Sequence, residues 1–350
     1  MYLSKEKQQM AFKDLIEQVG VAQAPGVIRT LLEEKKIRPE DCSFKEIFEA
    51  VGTGAFPQIT AELISAKVIE GYTATATIGD SLVTTYPASF EDEKITGFGE
   101  VEQPDQVLEG ATYTYTEIGE KYVQIKSTKY GKLIAVTEEM IQFDRTGQIL
   151  MRAKGIGEKA ALHREKAIVQ KVIDVNSDAI RFNGAVGQAL YRSTAVGNLK
   201  INLATGAPFG EAGLEAILKL MHNMTDDNGD FVYIDPNAMI LLVPQDLMVV
   251  ALQLNQSRLV PDGSVYAVNT FKGAYMPLTS PYITEQSTTS WFLGDFKRDI
   301  FWTEIWPLQT FTHVAGNEDE FKRDIKAQYK VRYFGGCGAV DDKHCYKATA

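Results

Sequence analysis

Near its C-terminal end the chain alternates Ile325, Ala327, Tyr329, Val331 and Tyr333 with Lys326, Gln328, Lys330 and Arg332. A strict period of two is the mark of a strand with one face buried and one face polar. Such a strand demands partners in a sheet and a cover for its apolar face. Residues 319–323 before it read as a short helical turn. The run Gly335-Gly336-Cys337-Gly338 after it predicts a stop, since glycine lets the backbone turn where a side chain would obstruct. One further extended segment follows.

The rest of the chain must supply the cover. At 350 residues it exceeds the size that one core usually serves, so two lobes are expected. With 45% hydrophobic and 23% charged residues, the composition is that of a folded protein. No window approaches the roughly 18 to 20 apolar residues that span a bilayer, and the first residues lack the apolar core of a secretory signal. Cys42, Cys337 and Cys345 are odd in number and widely spaced, which argues against a disulfide framework and for a reducing compartment. The net charge of −10, with no clustered Lys or Arg, lacks the basic patch with which proteins grip nucleic-acid phosphates.

Apolar spacing predicts helices within residues 1–50, around Phe12, Leu15 and Ile16, around Val27, Leu31 and Leu32, and around Phe44 and Phe48. A further helix is expected over 59–69, then a strand-like stretch at Gly71–Thr77. Between Glu91 and Glu109 lie seven acids against Lys94 alone, broken by Gly97, Gly99 and Pro104. Thr112–Thr116, Tyr122–Ile125 and Lys132–Val136 read as extended pieces, with Tyr130-Gly131 as a turn. Together they predict a long β-ribbon with an acidic tip, too poor in apolar residues to stand alone. The longest helix is expected within 138–175, through Ile149, Ala153, Ile156, Ala160, Ile168 and Val172, with a bend near Gly155 and Gly157 and an end at Asn176 and Asp178. Residues 205–305 read as an α/β lobe: a helix over 211–223, a buried strand over 238–243 stopped by Pro244, a helix over 245–254, and aromatic strands at 291–296 and 300–302 around a charged turn.

Catalytic patterns are missing. There is no phosphate-binding loop, no zinc-protease helix and no nucleophile elbow. Gly155-Ile156-Gly157 falls inside a helix rather than after a strand, so a dinucleotide reading fails. Asp226–Asp230 has the composition of a calcium loop but lacks its glycine and its closing glutamate, which favours an exposed turn. Cys337, His344 and Cys345 lack zinc-site spacing. His163 is expected to be solvated or at an interface, and the pairs Glu138-Glu139 and Asp341-Asp342 to be ordinary surface acids. The expectation is no enzyme, no catalytic, cofactor-binding or metal residues, and no cofactor.

The order of elements, with Val136–Asp144 before the long helix, Trp291–Arg298, and Asp319–Asp342, resembles the tailed-bacteriophage major capsid proteins, in particular the Mu-type major head subunits. The resemblance covers about residues 50–350 and implies an α+β fold. Its parts would be an N-terminal helical segment and arm (1–75), an extended β-ribbon loop (76–135), a peripheral domain with a long spine helix (136–204 and 306–350), and an axial domain (205–305). It implies hexamers and pentamers of an icosahedral shell, assembled in the bacterial cytoplasm and carried in the virion. The shell would enclose double-stranded DNA without sequence-specific binding, with scaffold, portal and cement proteins as further partners and no membrane. The same fold serves encapsulin nanocompartments, which is the alternative; an unrecognised soluble α+β enzyme is the remaining one. The loop acids Glu100, Glu102, Asp105 and Glu109 are expected to face Lys154, Lys159 or Arg164 of a neighbouring subunit. Lys94 and Asn317 are conceivable partners in a covalent crosslink of the kind some relatives form.

Overall fold

The computed structural model describes residues 60–96, 106–107, 109, 112, 122–143, 147–182, 186–196, 199–259, 268–314 and 323–350. The helices expected within 1–50 and the strand expected after Thr112 lie outside the described residues. In chain order the elements are α1 (60–74), α2 (Gly79–Leu82), β1 (Thr84–Pro87), β2 (Asp92–Thr96), β3 (Tyr122–Lys126), β4 (Thr128–Thr137), α3 (Glu138–Gln142), α4 (Gln148–Val172), β5 (Leu203–Thr205), α5 (Glu211–His222), β6 (Ile240–Leu242), α6 (Gln245–Gln256), β7 (Met276–Leu278), α7 (Pro281–Gln286), β8 (Trp291–Gly294), α8 (Phe296–Asp299), β9 (Ile300–Val314), β10 (Ile325–Ala339) and β11 (Cys345–Thr349). The strands form one sheet in the order β1-β9-β10-β4, a second in the order β5-β11-β8-β6-β7, and the pair β2-β3.

Two compact units share this chain. The first comprises the described residues through Thr77, Lys129–His163 and Trp306–Phe334; the second comprises Ile78–Thr128, Arg164–Ile305 and Gly335–Ala350.

In the first unit the predicted alternation of β10 is what builds the core. Ala327, Tyr329 and Val331 join Ile134 and Val136 of β4, Leu63, Ile64 and Val68 of α1, Ile141 of α3, and Ile149, Leu150 and Ala153 of α4. Each apolar side chain removed from water contributes roughly 1.5–3 kcal/mol, so this one-sided pattern is the main reason the strand is held. The glycines of α4 mark no break, and the helix runs uninterrupted from Gln148 to Val172. A Cβ on Gly157 would lie 2.0 Å from the Val68 carbonyl oxygen, and one on Gly71 would lie 2.2 Å from that of Lys154. These two glycines let α1 and α4 touch backbone to backbone.

Several expectations are corrected. The stretch 71–74 is the last turn of α1 rather than strand; the Thr73 and Thr75 hydroxyls donate to the Ile69 and Gly71 carbonyls, which reconciles β-branched residues with a helix end. The helix expected within 138–175 is two: α3, capped by the Thr137 hydroxyl accepting from Met140 N–H, and α4. The end of α4 is set at Asp174, which adopts a positive φ of 50° and whose carboxylate accepts the Asp178, Ala179 and Leu190 N–H groups. Tyr130-Gly131 is no turn, because β4 runs through it, and a Cβ at Gly131 would stand 3.0 Å from the Val331 carbonyl oxygen. Nor do the C-terminal glycines stop their strand. β10 continues to Ala339, with Gly335 against the Trp302 ring and Gly336 against the Lys126 carbonyl. What looked like a signal to turn is a demand for room.

The second unit is built on the five-stranded sheet. The expected helices α5 and α6 and strand β6 are present, and their core includes Leu214, Ile217, Met221, Leu241, Val243, Ala251, Trp291 and Tyr346. Trp291 is fully buried and its Nε1–H donates to the Ala207 carbonyl at 3.1 Å. The two aromatic strands belong to different sheets, β8 to the five-stranded one and β9 to the four-stranded one, with α8 as the charged turn between them. β2 and β3 pair antiparallel from Asp92↔Lys126 to Thr96↔Tyr122. Ile95, Val123 and Ile125 anchor this ribbon against Val340.

Candidate functional site

The expected basic residues sit on α4 in three different settings. Lys154 Nζ pairs with Glu70 at 3.3 Å. Arg164 holds Asp80 at 2.6 Å and lies 5.2 Å over the Trp302 ring. Lys159 is exposed and lines a groove of roughly 470 Å³ with Tyr130, Leu133, Ile156, His163 and Tyr333. His163 is exposed as expected, yet anchored: its Nδ1 lies 2.6 Å from the Tyr333 hydroxyl and its ring 4.5 Å from that of Tyr130. Of the acids, Glu109 is exposed, while Glu100, Glu102 and Asp105 lie outside the described residues. Lys94 stands 4.9 Å over the Tyr122 ring; Asn317 lies outside the described residues.

On the sheet face opposite the core of the first unit, basic and aromatic side chains interleave. Arg332 lies 4.2 Å from the ring of Trp306 and 4.3 Å from that of Phe311. Lys330 approaches Phe311 at 5.1 Å, Lys129 approaches Trp306 at 5.6 Å, and Phe334 packs edge-on against Trp306. The alternation that buries one side of β10 delivers Lys330, Arg332 and Phe334 to the other. The sequence shows the cations but not their aromatic neighbours, which come from β9.

The C-terminal turn of the second unit holds buried charge. Asp299, Asp342 and Lys343 are almost wholly excluded from solvent. Asp299 accepts from the His344 backbone N–H at 2.9 Å and lies 2.7 Å from its Nδ1. Lys343 reaches Asp341 at 3.3 Å, and Asp342 accepts the Lys200 N–H at 2.9 Å with Arg192 at 3.6 Å. Asn202 ties the turn down by donating to the Leu190, Asp342 and Cys345 carbonyls. Burial pushes the Asp342 carboxyl up to about 7, and Asp341 beside it adds to the shift. Burial lowers His344, but the hydrogen bond and charge of Asp299 outweigh it and leave the imidazole above its usual value.

The expectation of surface acids at Asp341-Asp342 is therefore corrected for Asp342, at 1% exposure. Its partners come from residues 192–202, out of reach of any local pattern. Asp299, Asp341 and His344 bring three ligand-type atoms within 4.8 Å of one another. Lys343 already neutralises Asp341, and the His344 ring already engages Asp299, so the arrangement has the chemistry of a charge network rather than a cation cage. At Asp226–Asp230 the Asp226 carboxylate is spent on its own turn, accepting the Asn228 and Asp230 N–H groups. Burial pushes the Cys337 thiol up to about 12 and Cys345 well above its usual value, which leaves neither as a thiolate. Among the described residues no helix is long and apolar enough to cross a membrane.

Comparison with known proteins supplies the context. No curated protein sequence matches the chain. Among solved structures, the capsid of an empty GTA particle has a TM-score of 0.50 at 11% identity, covering 78% of this chain and 89% of that one. The mature capsid of bacteriophage PhiM1 has a TM-score of 0.49 at 11% identity, covering 78% and 87%. The virus-like particle from Pyrococcus furiosus has 0.45 at 8%, covering 81% and 97%. At these identities the likeness concerns fold, and the first is in line with the α+β capsid fold expected above. The family described as phage capsid protein matches residues 120–348, most of the chain, without distinguishing the Mu-type group. It is a family of structural proteins, not of enzymes, and a component of the virion. The chain belongs to the phage capsid protein family.

Proposed function

We propose that this chain is the major head subunit of a tailed phage, self-assembling into hexamers and pentamers of an icosahedral shell around double-stranded DNA. The family match over residues 120–348 carries the reading. The acid-rich stretch beyond β2 supports it, since a polar ribbon is stabilised by lying on another subunit. In this reading residues 205–305 form the axial domain, 136–204 and 306–350 the peripheral domain, 76–135 the extended loop and 1–75 the arm. Loop acids Glu100, Glu102, Asp105 and Glu109 meet basic residues of a neighbour. Lys159 is the readiest of the three α4 candidates, because Lys154 and Arg164 already hold Glu70 and Asp80. Assembly takes place in the host cytoplasm, with scaffold, portal and cement proteins assisting, and a net charge of −10 keeps packaged DNA from adhering. The test is expression of the full chain followed by sedimentation and negative-stain microscopy. Rings or closed shells are expected; a small oligomer at every salt and protein concentration, with or without the phage's other head proteins, would overturn the proposal.

A further inference from the structure

The groove of roughly 470 Å³ in the first unit has a largely apolar floor, made by Tyr130 of β4, Ile156 and Ala160 of α4, and Val331 and Tyr333 of β10. The Tyr130 and Tyr333 rings lie 5.3 Å apart, and His163 holds the Tyr333 hydroxyl at 2.6 Å. Lys132 stands on the strand side and Lys159 on the helix side. Both are exposed, and among the described residues neither is in an ion pair. Among the described residues no aspartate or glutamate lines the groove. Such a site suits an occupant that is apolar on one face and acidic beside it.

We propose that this groove is covered in cis by residues 44–51 of the same chain, which lie outside the described residues. Phe44, Ile47, Phe48 and Val51 are spaced i, i+3, i+4 and i+7, the anchors with which an amphipathic helix enters an apolar groove. Ser43 and Glu46 stand at capping-box spacing and Gly52 follows, which are start and stop signals for a short helix. Charge selects this segment among the three with helical spacing. Residues 40–51 carry Glu40, Asp41, Glu46 and Glu49 against Lys45, whereas 5–19 balance three cations against three acids and 27–36 carry an excess of cations. Lys132 takes the segment's acids, which leaves Lys159 to the loop acids of a neighbour. The chain path permits this. α1 runs antiparallel to α4, with Gly71 against Lys154 and Val68 against Gly157, so its first turn lies towards the His163 end. The Thr60 and Tyr329 hydroxyls are hydrogen-bonded, and Tyr333 follows Tyr329 on the same face of β10 by roughly 13 Å. The chain from Val51 to Thr60 spans roughly 30 Å when extended, which is ample.

The test is disulfide trapping in the full-length chain. A Cys42→Ser background leaves only Cys337 and Cys345, whose thiols burial keeps protonated. Ile47→Cys is combined with Ala160→Cys, and diamide supplies the oxidant. A disulfide within one chain is expected, seen as a faster monomer band on a non-reducing gel and as joined peptides by mass spectrometry. Glu46→Cys, on the far side of the expected helix, should close onto Ala160→Cys roughly tenfold or more slowly. Lys132→Glu added to the first pair should slow closure, and less so at high salt. Equal rates for the two pairs would mean a segment that sweeps past without docking, which overturns the proposal. Dimers as the main product would give the groove to a second copy and overturn it as well. Melting curves establish that each variant is folded, and Lys159→Cys, at an exposed position, provides a second partner for Ile47→Cys. A chain that stays reduced with both partners defeats the inference. Its fate is separate from that of the shell reading: shells formed by a chain that gives no disulfide would sink the inference alone, and the disulfide in a chain that never assembles would sink the shell reading alone.

Discussion

Asp342 shows how a residue that looks like solvated surface becomes a determinant of stability. Its carboxyl, pushed up to about 7 by burial, is protonated more readily in the folded chain than in the unfolded one, where an aspartate titrates near its ordinary value. Between those two values the folded state binds more protons, so stability falls as pH rises. His344 acts in the same direction: held above its usual value by Asp299, it contributes stability at low pH that is lost as pH climbs through its folded pKa. The unassembled subunit is therefore expected to melt at a higher temperature at pH 6 than at pH 8. Asp342→Asn keeps an oxygen to accept the Lys200 N–H but has no charge to bury. Its melting temperature relative to wild type should rise from pH 5 to pH 8, and a difference independent of pH would refute the assignment. Nothing local in Asp341-Asp342-Lys343-His344 announces this burial, because Arg192, Lys200 and Asn202, which enclose it, lie more than a hundred residues upstream.

Elements that announce themselves by periodicity formed where expected. β10, α5 and α6 each carry a pattern that depends only on which side is covered, and β6 a short continuous apolar run that is buried throughout. Glycines were harder to read, because a glycine needed for turning and one needed for close approach look alike in sequence. Gly155 and Gly157, two residues apart on α4, separate the cases. A Cβ at Gly157 would meet the Val68 carbonyl oxygen at 2.0 Å and the Tyr72 backbone nitrogen at 2.9 Å, whereas one at Gly155 meets nothing within 4 Å. Gly157→Ala must push α1 away from α4, and overpacking of this kind costs about 1–3 kcal/mol. Gly155→Ala removes backbone freedom from the unfolded chain and should add about 0.5–1 kcal/mol. Urea unfolding of the two variants measures both, and equal effects of the same sign would mean that the helices do not meet at Gly157.

For the whole molecule, chain path matters more than any single element. The chain passes between its two units after Thr77, Thr128, His163, Ile305 and Phe334, so neither unit is a contiguous piece of sequence. Four of those crossings fall inside regular elements: β4 crosses just after its first residue, Thr128, α4 continues from Leu162 through Lys166, β9 from Thr303 through Leu308, and β10 from Val331 through Cys337. A helix or strand half-melted at such a point loses the cooperative hydrogen bonding that holds its other half. This arrangement was not legible as domains in the sequence, since composition changes little where a continuous helix passes from one core to another. It leads to a definite expectation about unfolding. Trp291 and Trp302 report on the second unit once Trp306 in the first is replaced by Phe. In a chain carrying Trp306→Phe and Gly157→Ala, the substitution at Gly157 weakens only the first unit's contacts. The fluorescence of Trp291 and Trp302 should nevertheless shift to lower urea together with the far-ultraviolet circular dichroism, in one superimposable transition. Two separated transitions, with the fluorescence midpoint unchanged, would show that the units unfold independently despite the elements they share.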